Sequence, residues 1–186
     1  MVYMFLGTGF EETEAITPLD LMRRAGIEVK TVGLSGKIIY GSHGIGIEAD
    51  ILPEEVDLST IDMIVLPGGL VGVASIRASS WAMAAIRSAY ENGKFIAAIC
   101  AAPTILAELG ITDGKHAVCY PGCEENMGSA MIENAASVRE GKVITGTSAG
   151  CATAFGLSLI RALRGETAAN TVAEQIVIRT QEVTYG

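Results

Sequence analysis

No stretch of this chain is long and apolar enough to span a bilayer. A spanning helix needs about 20 consecutive apolar residues, whereas the run from Phe95 is interrupted by Pro103 and Thr104 and meets a charge at Glu108. The opening "MVYMFLG" lacks a basic flank and has only a short apolar core, so it is not read as a signal peptide. Clustered basic residues are missing too. Arg23-Arg24 is the only adjacent pair in a chain of net charge −8, which argues against a nucleic-acid surface. Cys119 and Cys123 have His116 nearby but no second cysteine pair, so the spacing falls short of a structural zinc site. There is no long linker, repeat or low-complexity segment. These absences lead us to expect one soluble, cytoplasmic domain over residues 1–186, with no metal, no cofactor and no membrane or nucleic-acid partner. The four cysteines, Cys100, Cys119, Cys123 and Cys151, should be free thiols.

What is present is apolar residue in short runs. The chain is 49% hydrophobic with a mean hydropathy of +0.40, enough to fill a substantial core. The runs "VYMFL" (2–6), "EVKTVGL" (28–34), "DMIVLPGG" (62–69) and "FIAAI" (95–99) read as strands buried on both faces. Between them lie helical stretches. "EETEAITPLDLMRRAG" has acids in its first turn and Arg23 and Arg24 in its last, suiting the helix dipole; Pro18 should kink or break it. "SSWAMAAIRSAYENG" carries a Ser cap and a Gly stop. "APTILAELG", "GCATAFGLSLIRALRG" and "TAANTVAEQIVI" read as further helices. "KIIYGSHGIGIEAD" and "SVREGKVITGT" read as hairpins, and "HAVCY" as a short strand. The alternation predicts a flavodoxin-like α/β sandwich: a mostly parallel sheet with helices on both faces.

Cys100 falls where the strand 95–99 turns into the helix 102–110. Reactive groups in such sheets lie beyond the carboxyl ends of the strands, and a strand-turn-helix elbow exposes its central residue. A helix N-terminus at Ala101 would stabilise the thiolate and lower the thiol pKa. Most free cysteines, however, are small buried hydrophobes, and position alone does not separate the two. "PGG" (67–69) ends a neighbouring strand; its amides could hold an oxyanion, or form a plain tight turn. Glu11, Glu12 and Glu14 follow the first strand at the same edge, either as a solvated helix start or as a source of a proton-transfer group with a raised pKa.

Taken together, "AAICAAPTILAELG", "VLPGGLVG", "GFEETEAITPLDLMRRAGIEV" and "TSAGCATAFGLSLIRALRG" resemble the ThiJ/PfpI superfamily, in the branch of the parkinsonism-associated protein deglycase and its bacterial relatives. The resemblance implies that Cys100 is the nucleophile and that Glu14 hydrogen-bonds its sulfur. It implies Glu11 as a second pocket acid, and Gly69 and Ala101 as amide donors to an oxyanion. Gly68 and Tyr120 belong to the same pocket, with Tyr120 where some members have a histidine. Arg24 and His43 fall where basic residues approach the pocket from a dimer partner, His43 replacing an expected arginine. Protease-type members carry a histidine directly after the nucleophile, where this chain has Ala101. Amidotransferases need a late His-x-Glu pair, and no histidine follows His116. The implied activity is that of a cofactor-independent enzyme acting on reactive carbonyls, a glutathione-independent glyoxalase or protein deglycase. Its substrate would be a small aldehyde or a glycated protein, and it would form a homodimer through the first helix. The alternative is a redox-responsive stress protein or chaperone whose Cys100 is oxidised to sulfinic acid.

Overall fold

Each apolar run forms a strand, and each strand sends alternate side chains into two different cores. A computed structural model describes residues 1–178. In β1 (Val2–Leu6), Val2, Met4 and Leu6 enter one apolar cluster while Tyr3 and Phe5 enter the other. The first cluster is closed by α1 (Glu12–Arg24), α5 (Ala152–Arg164) and α6 (Glu166–Gln175) through Met22, Phe155, Ile160 and Val172. The second is closed by α2 (Leu70–Ala78), α3 (Ser80–Glu91) and α4 (Pro103–Glu108) through Ile76, Ile86 and Ile105. Burial on both faces explains why these strands read as continuous apolar runs.

The central sheet has six strands in the order β2-β1-β5-β6-β10-β9. Here β2 is Val29–Gly33, β5 Met63–Leu66, β6 Phe95–Ile99, β9 Ser137–Glu140 and β10 Val143–Gly146. All pairings are parallel except β9 with β10, the hairpin expected around Glu140-Gly141. The parallel strands follow the flavodoxin-like order, whose switch point lies between the first strand and the third parallel one, β1 and β5. The loops leaving β1, β5 and β6 therefore converge at one edge. The expected hairpin over 37–50 forms as β3 (Ile38–Tyr40) and β4 (Gly46–Glu48), antiparallel and outside the main sheet.

Three details depart from the sequence reading. Helix α1 runs through Pro18 without a break. Gly156 of α5 lies under it, and a Cβ there would come within 2.8 Å of Leu21 Cδ1 and 3.0 Å of Pro18 Cα. That close contact holds α1 against α5 across the proline. Helix α2 carries no periodic signal in the sequence because "LVGVASIRA" lacks a polar face, with Gly72, Val73 and Ile76 buried and Leu70 and Val71 exposed. "HAVCY" contributes only β7 (His116–Ala117), which pairs in parallel with β8 (Met131–Ile132) as a separate ladder. Its later amides are taken elsewhere, Val118 N–H by Thr145 Oγ1 at 2.9 Å and Tyr120 N–H by the Cys100 carbonyl at 2.7 Å. Among the described residues no helix is long and apolar enough to cross a membrane.

Candidate active site

At the end of β6 the chain makes a left-handed turn at Cys100, φ +66°, which among the described residues only Val177 shares as a non-glycine. A side chain in the left-handed region costs about 1–2 kcal/mol and persists only where its surroundings hold it. Here both backbone groups are pinned. The Cys100 N–H donates to the Gly146 carbonyl at 2.9 Å, and the Cys100 carbonyl accepts from Tyr120 N–H. The strain presents the thiol at the sheet edge, as an elbow should. Helix α4 begins only at Pro103, after a turn over Ala101 and Ala102, and is six residues long. The thiol is therefore served by particular amides rather than by a long helix. The Gly69 and Ala101 N–H groups lie near enough to the sulfur to favour its thiolate.

Glu14 approaches the same thiol from the first turn of α1, almost fully buried, with its carboxyl and Cys100 Cβ on either side of the space above Gly68. Gly68 N–H donates to Glu14 Oε2 at 3.0 Å, and the Ala149 amide is a further donor. Gly68 must be glycine, because a Cβ would overlap Glu14 Oε2 and lie 2.6 Å from Cys100 Cβ. Gly69 has φ +85°, and a Cβ on it would sit 2.8 Å from Glu11 N. Two glycines thus let the loop after β5 pass between the acids and the thiol.

Burial pushes Glu14 up to about 7, aided by the Glu11 charge and opposed by its hydrogen bonds from Cys100 and the Gly68 amide. Burial likewise pushes the Cys100 thiol up to about 12, with the charge of Glu14 and its hydrogen bond adding to the rise. The sequence expectation of a thiol acidified by its position is thus corrected: beside an ionised Glu14 the thiol keeps its proton. Two of the influences that raise it come from that carboxylate. A proton on Glu14 removes them, leaving burial to oppose the thiolate and the Gly69 and Ala101 amides to favour it. Cys100 and Glu14 are best regarded as a coupled pair, each making the other's proton harder to lose.

An open pocket of about 400 Å³ brings together Cys100, Glu14, Glu11, Gly69, Ala101 and Tyr120. Leu70 and the segment Ser148–Gly150 complete its wall. That segment follows β10, and its position beyond the end of a parallel strand was the available signal for it. Arg24 does not line the pocket; its guanidinium Nε pairs with Asp20 Oδ2 at 2.7 Å on its own helix. His43 stands outside the wall, on the β3–β4 loop. Its Nδ1 lies 2.8 Å from Glu12 Oε2 and 3.5 Å from Glu11 Oε2.

Glu12, which resemblance left unassigned, is the anchor of that loop. Burial works against its ionisation, but the His43 side chain and the amides of His43 and Ile45 outweigh it and hold the carboxyl at about 2. His43 in turn is raised by its hydrogen bond to Glu12 and by the charges of Glu11 and Glu12. Glu11, Glu12 and His43 place donor atoms within 4.8 Å of one another, the one such set among the described residues. Pairing of a cationic His43 with two carboxylates accounts for that closeness without an ion.

A family model described as DJ-1/PfpI matches residues 1–162. Protein dj-1beta of Drosophila melanogaster is 34% identical over 178 residues, covering 94% of this chain and 95% of that one. A protein named Deglycase PYRAB04690, from Pyrococcus abyssi, is 32% identical over 124 residues, 67% of this chain and 74% of its own. The oxidised structure of Toxoplasma gondii DJ-1 superposes with a TM-score of 0.90 at 32% identity, covering 95% of this chain and 97% of that one.

Proposed function

The chain belongs to the DJ-1/PfpI family, and on that premise we propose that it is a cofactor-independent cysteine enzyme converting α-oxoaldehydes to hydroxy acids. The observation that carries this reading is a buried Glu14 packed with Cys100 around Gly68, the thiol held on a strained turn in a pocket shared with Gly69 and Ala101. With the proton on Glu14, the Cys100 thiolate adds to the aldehyde carbon of a compound such as methylglyoxal. The resulting hemithioacetal oxyanion accepts hydrogen bonds from Gly69 and Ala101 N–H groups. Glu14 gives its proton to that oxygen and, now ionised, removes the proton from the same carbon. Glu14 returns that proton to the adjacent carbon as the hydroxyl proton passes to the neighbouring oxygen, leaving a 2-hydroxy thioester. Water then cleaves the thioester, releasing the hydroxy acid and restoring the thiol. The same addition to a sugar or aldehyde adduct on a side chain is deglycation, and the Pyrococcus relative's name supports that extension.

Glutathione-free turnover of methylglyoxal to lactate tests the reading, with Cys100→Ala and Glu14→Gln alongside. Cys100→Ala should abolish turnover. Glu14→Gln should lower it roughly 100-fold or more, the usual size of a lost acid–base group, while iodoacetamide still labels Cys100. Near-normal turnover in Glu14→Gln would sink the mechanism.

One observation favours a second reading, in which Cys100 is oxidised to sulfinic acid in a stress-responsive protein or chaperone: the Toxoplasma relative is named as an oxidised form. The same amides and Glu14 suit a sulfinate oxygen. A wild-type protein without turnover, but with peroxide-dependent gain of two oxygens at Cys100 by mass spectrometry, would put this reading first.

A further inference from the structure

At the opposite end of the sheet from Cys100, the residue preceding each of the five parallel strands lines a single cavity of about 540 Å³. In sheet order these are Glu28 before β2, Met1 before β1, Asp62 before β5, Lys94 before β6 and Lys142 before β10. Charge is thereby sorted across the cavity floor. Asp62 is taken by the Met1 amino group at 2.5 Å. Glu28 is the other acid of the lining, and it stands three strands, about 14 Å, from Lys94. Lys94 and Lys142 lie on neighbouring strands, and Arg164, the last residue of α5, lines the same cavity. The buried Phe95 ring holds Lys142 Nζ 3.9 Å and Arg139 Cζ 5.2 Å from its centroid. Among the described residues Lys94, Arg139, Lys142 and Arg164 form no ion pair, whereas Arg23, Arg24, Arg77 and Arg161 each do. Gathering unpaired cations in this way costs Coulomb repulsion, and the cost is incurred in a chain of net charge −8 that has acids to spare. A bound anion relieves it.

We infer that this cavity is a binding site for a phosphate-bearing small molecule, held by Lys94, Lys142 and Arg164. Three lining cations against the unpaired Glu28 leave a surplus of two positive charges. A phosphate monoester carries about −1.5 to −2 at neutral pH and matches that surplus; a lone carboxylate leaves half of it unmet. Arginine can grip two phosphate oxygens at once while lysines act as point charges. The volume lies in the range of small-ligand pockets, and the acidic remainder of the surface works against a polyanionic polymer. The site shares no lining residue with the Cys100 pocket and stands apart from the carbonyl chemistry.

Calorimetric titration of the full chain with inorganic pyrophosphate and with ADP, both free of magnesium, tests it. Each should bind once per chain. Lys94→Gln and Lys142→Gln should each weaken binding about tenfold, the scale of a lost charged hydrogen bond. Arg87→Gln, an exposed change on α3 outside the cavity, should leave it unaltered. Tighter binding of ADP supports an organic phosphate whose remainder fills the cavity, and equal binding supports recognition of the phosphates alone. No binding of either probe at millimolar concentration overturns the inference. So does binding that survives both lysine substitutions, or that falls as far in Arg87→Gln. Should a lysine variant not fold, acetylation of the unmutated protein decides, read by peptide mapping. Pyrophosphate should slow modification of Lys94 and Lys142 at least threefold while leaving Lys115, which lies outside the cavity, unprotected. Equal rates with and without pyrophosphate at Lys94 and Lys142 overturn the assignment.

Discussion

A methyl group at position 68 would press on both Glu14 and Cys100, since its room is taken by Glu14 Oε2 and Cys100 Cβ. Such tightness sets what Glu14 does to stability. A carboxyl whose pKa is raised from 4.5 to about 7 on folding binds its proton more firmly in the folded chain. Its contribution is therefore full below pH 4.5 and is lost as the pH climbs through 7. The unmutated protein should lose stability between pH 5 and pH 8 relative to Glu14→Gln, by an amount on the order of 1–3 kcal/mol. Urea midpoints across that range check it, and parallel pH profiles would assign the raised pKa to another group. The acid that the chemistry needs neutral is thus one the fold holds at a disadvantage when ionised.

Glu12 works in the opposite sense, and its effect belongs to an element rather than a single bond. It joins α1 to the β3–β4 loop by accepting from the amides of His43 at 2.7 Å and Ile45 at 3.4 Å. Glu12→Gln should destabilise the chain by about 1.5–3 kcal/mol at pH 7, the range for a hydrogen bond to a charged group. Because the folded carboxyl sits at about 2 against 4.5 ordinarily, this contribution is present above pH 4.5 and fades as the pH falls toward 2. The gap between Glu12→Gln and the unmutated protein should accordingly close in acid; denaturant midpoints at pH 7 and pH 3 measure it. His43 adds the reverse limb. Its raised pKa makes its pairing effective below its ordinary value of 6.5 and lost as the pH rises through the higher one. Loss of the loop would also free Ser42, and with it the hold on Glu11.

For the whole molecule, the proposed homodimer rests on the exposed apolar residues that the fold leaves over. On α1, the helix expected at the seam, Leu19 and Met22 are buried in the chain's own core and Ile16 is exposed. Leu70, Val71, Tyr40 and Ile45 are exposed as well. We expect sedimentation at micromolar concentration to give a dimer; a monomer would remove the seam. The sequence by itself determined the sheet and its two covered faces, because strands buried on both sides must be apolar at every position, a pattern legible without contacts. It also determined the elbow at Cys100, since strand, turn and proline-started helix are local signals. Resemblance to a family then singled out Glu14, Glu11, Gly68, Gly69 and Ala101, which the fold brings into one place. Only the tertiary structure decided that Ser148–Gly150 closes the pocket and that Glu12 anchors a loop. It also decided that the thiol is raised, not lowered. Those outcomes depend on which groups meet across 30 to 130 residues of chain, and a pKa is set by the charge, burial and donors within a few ångströms, whatever their distance in sequence.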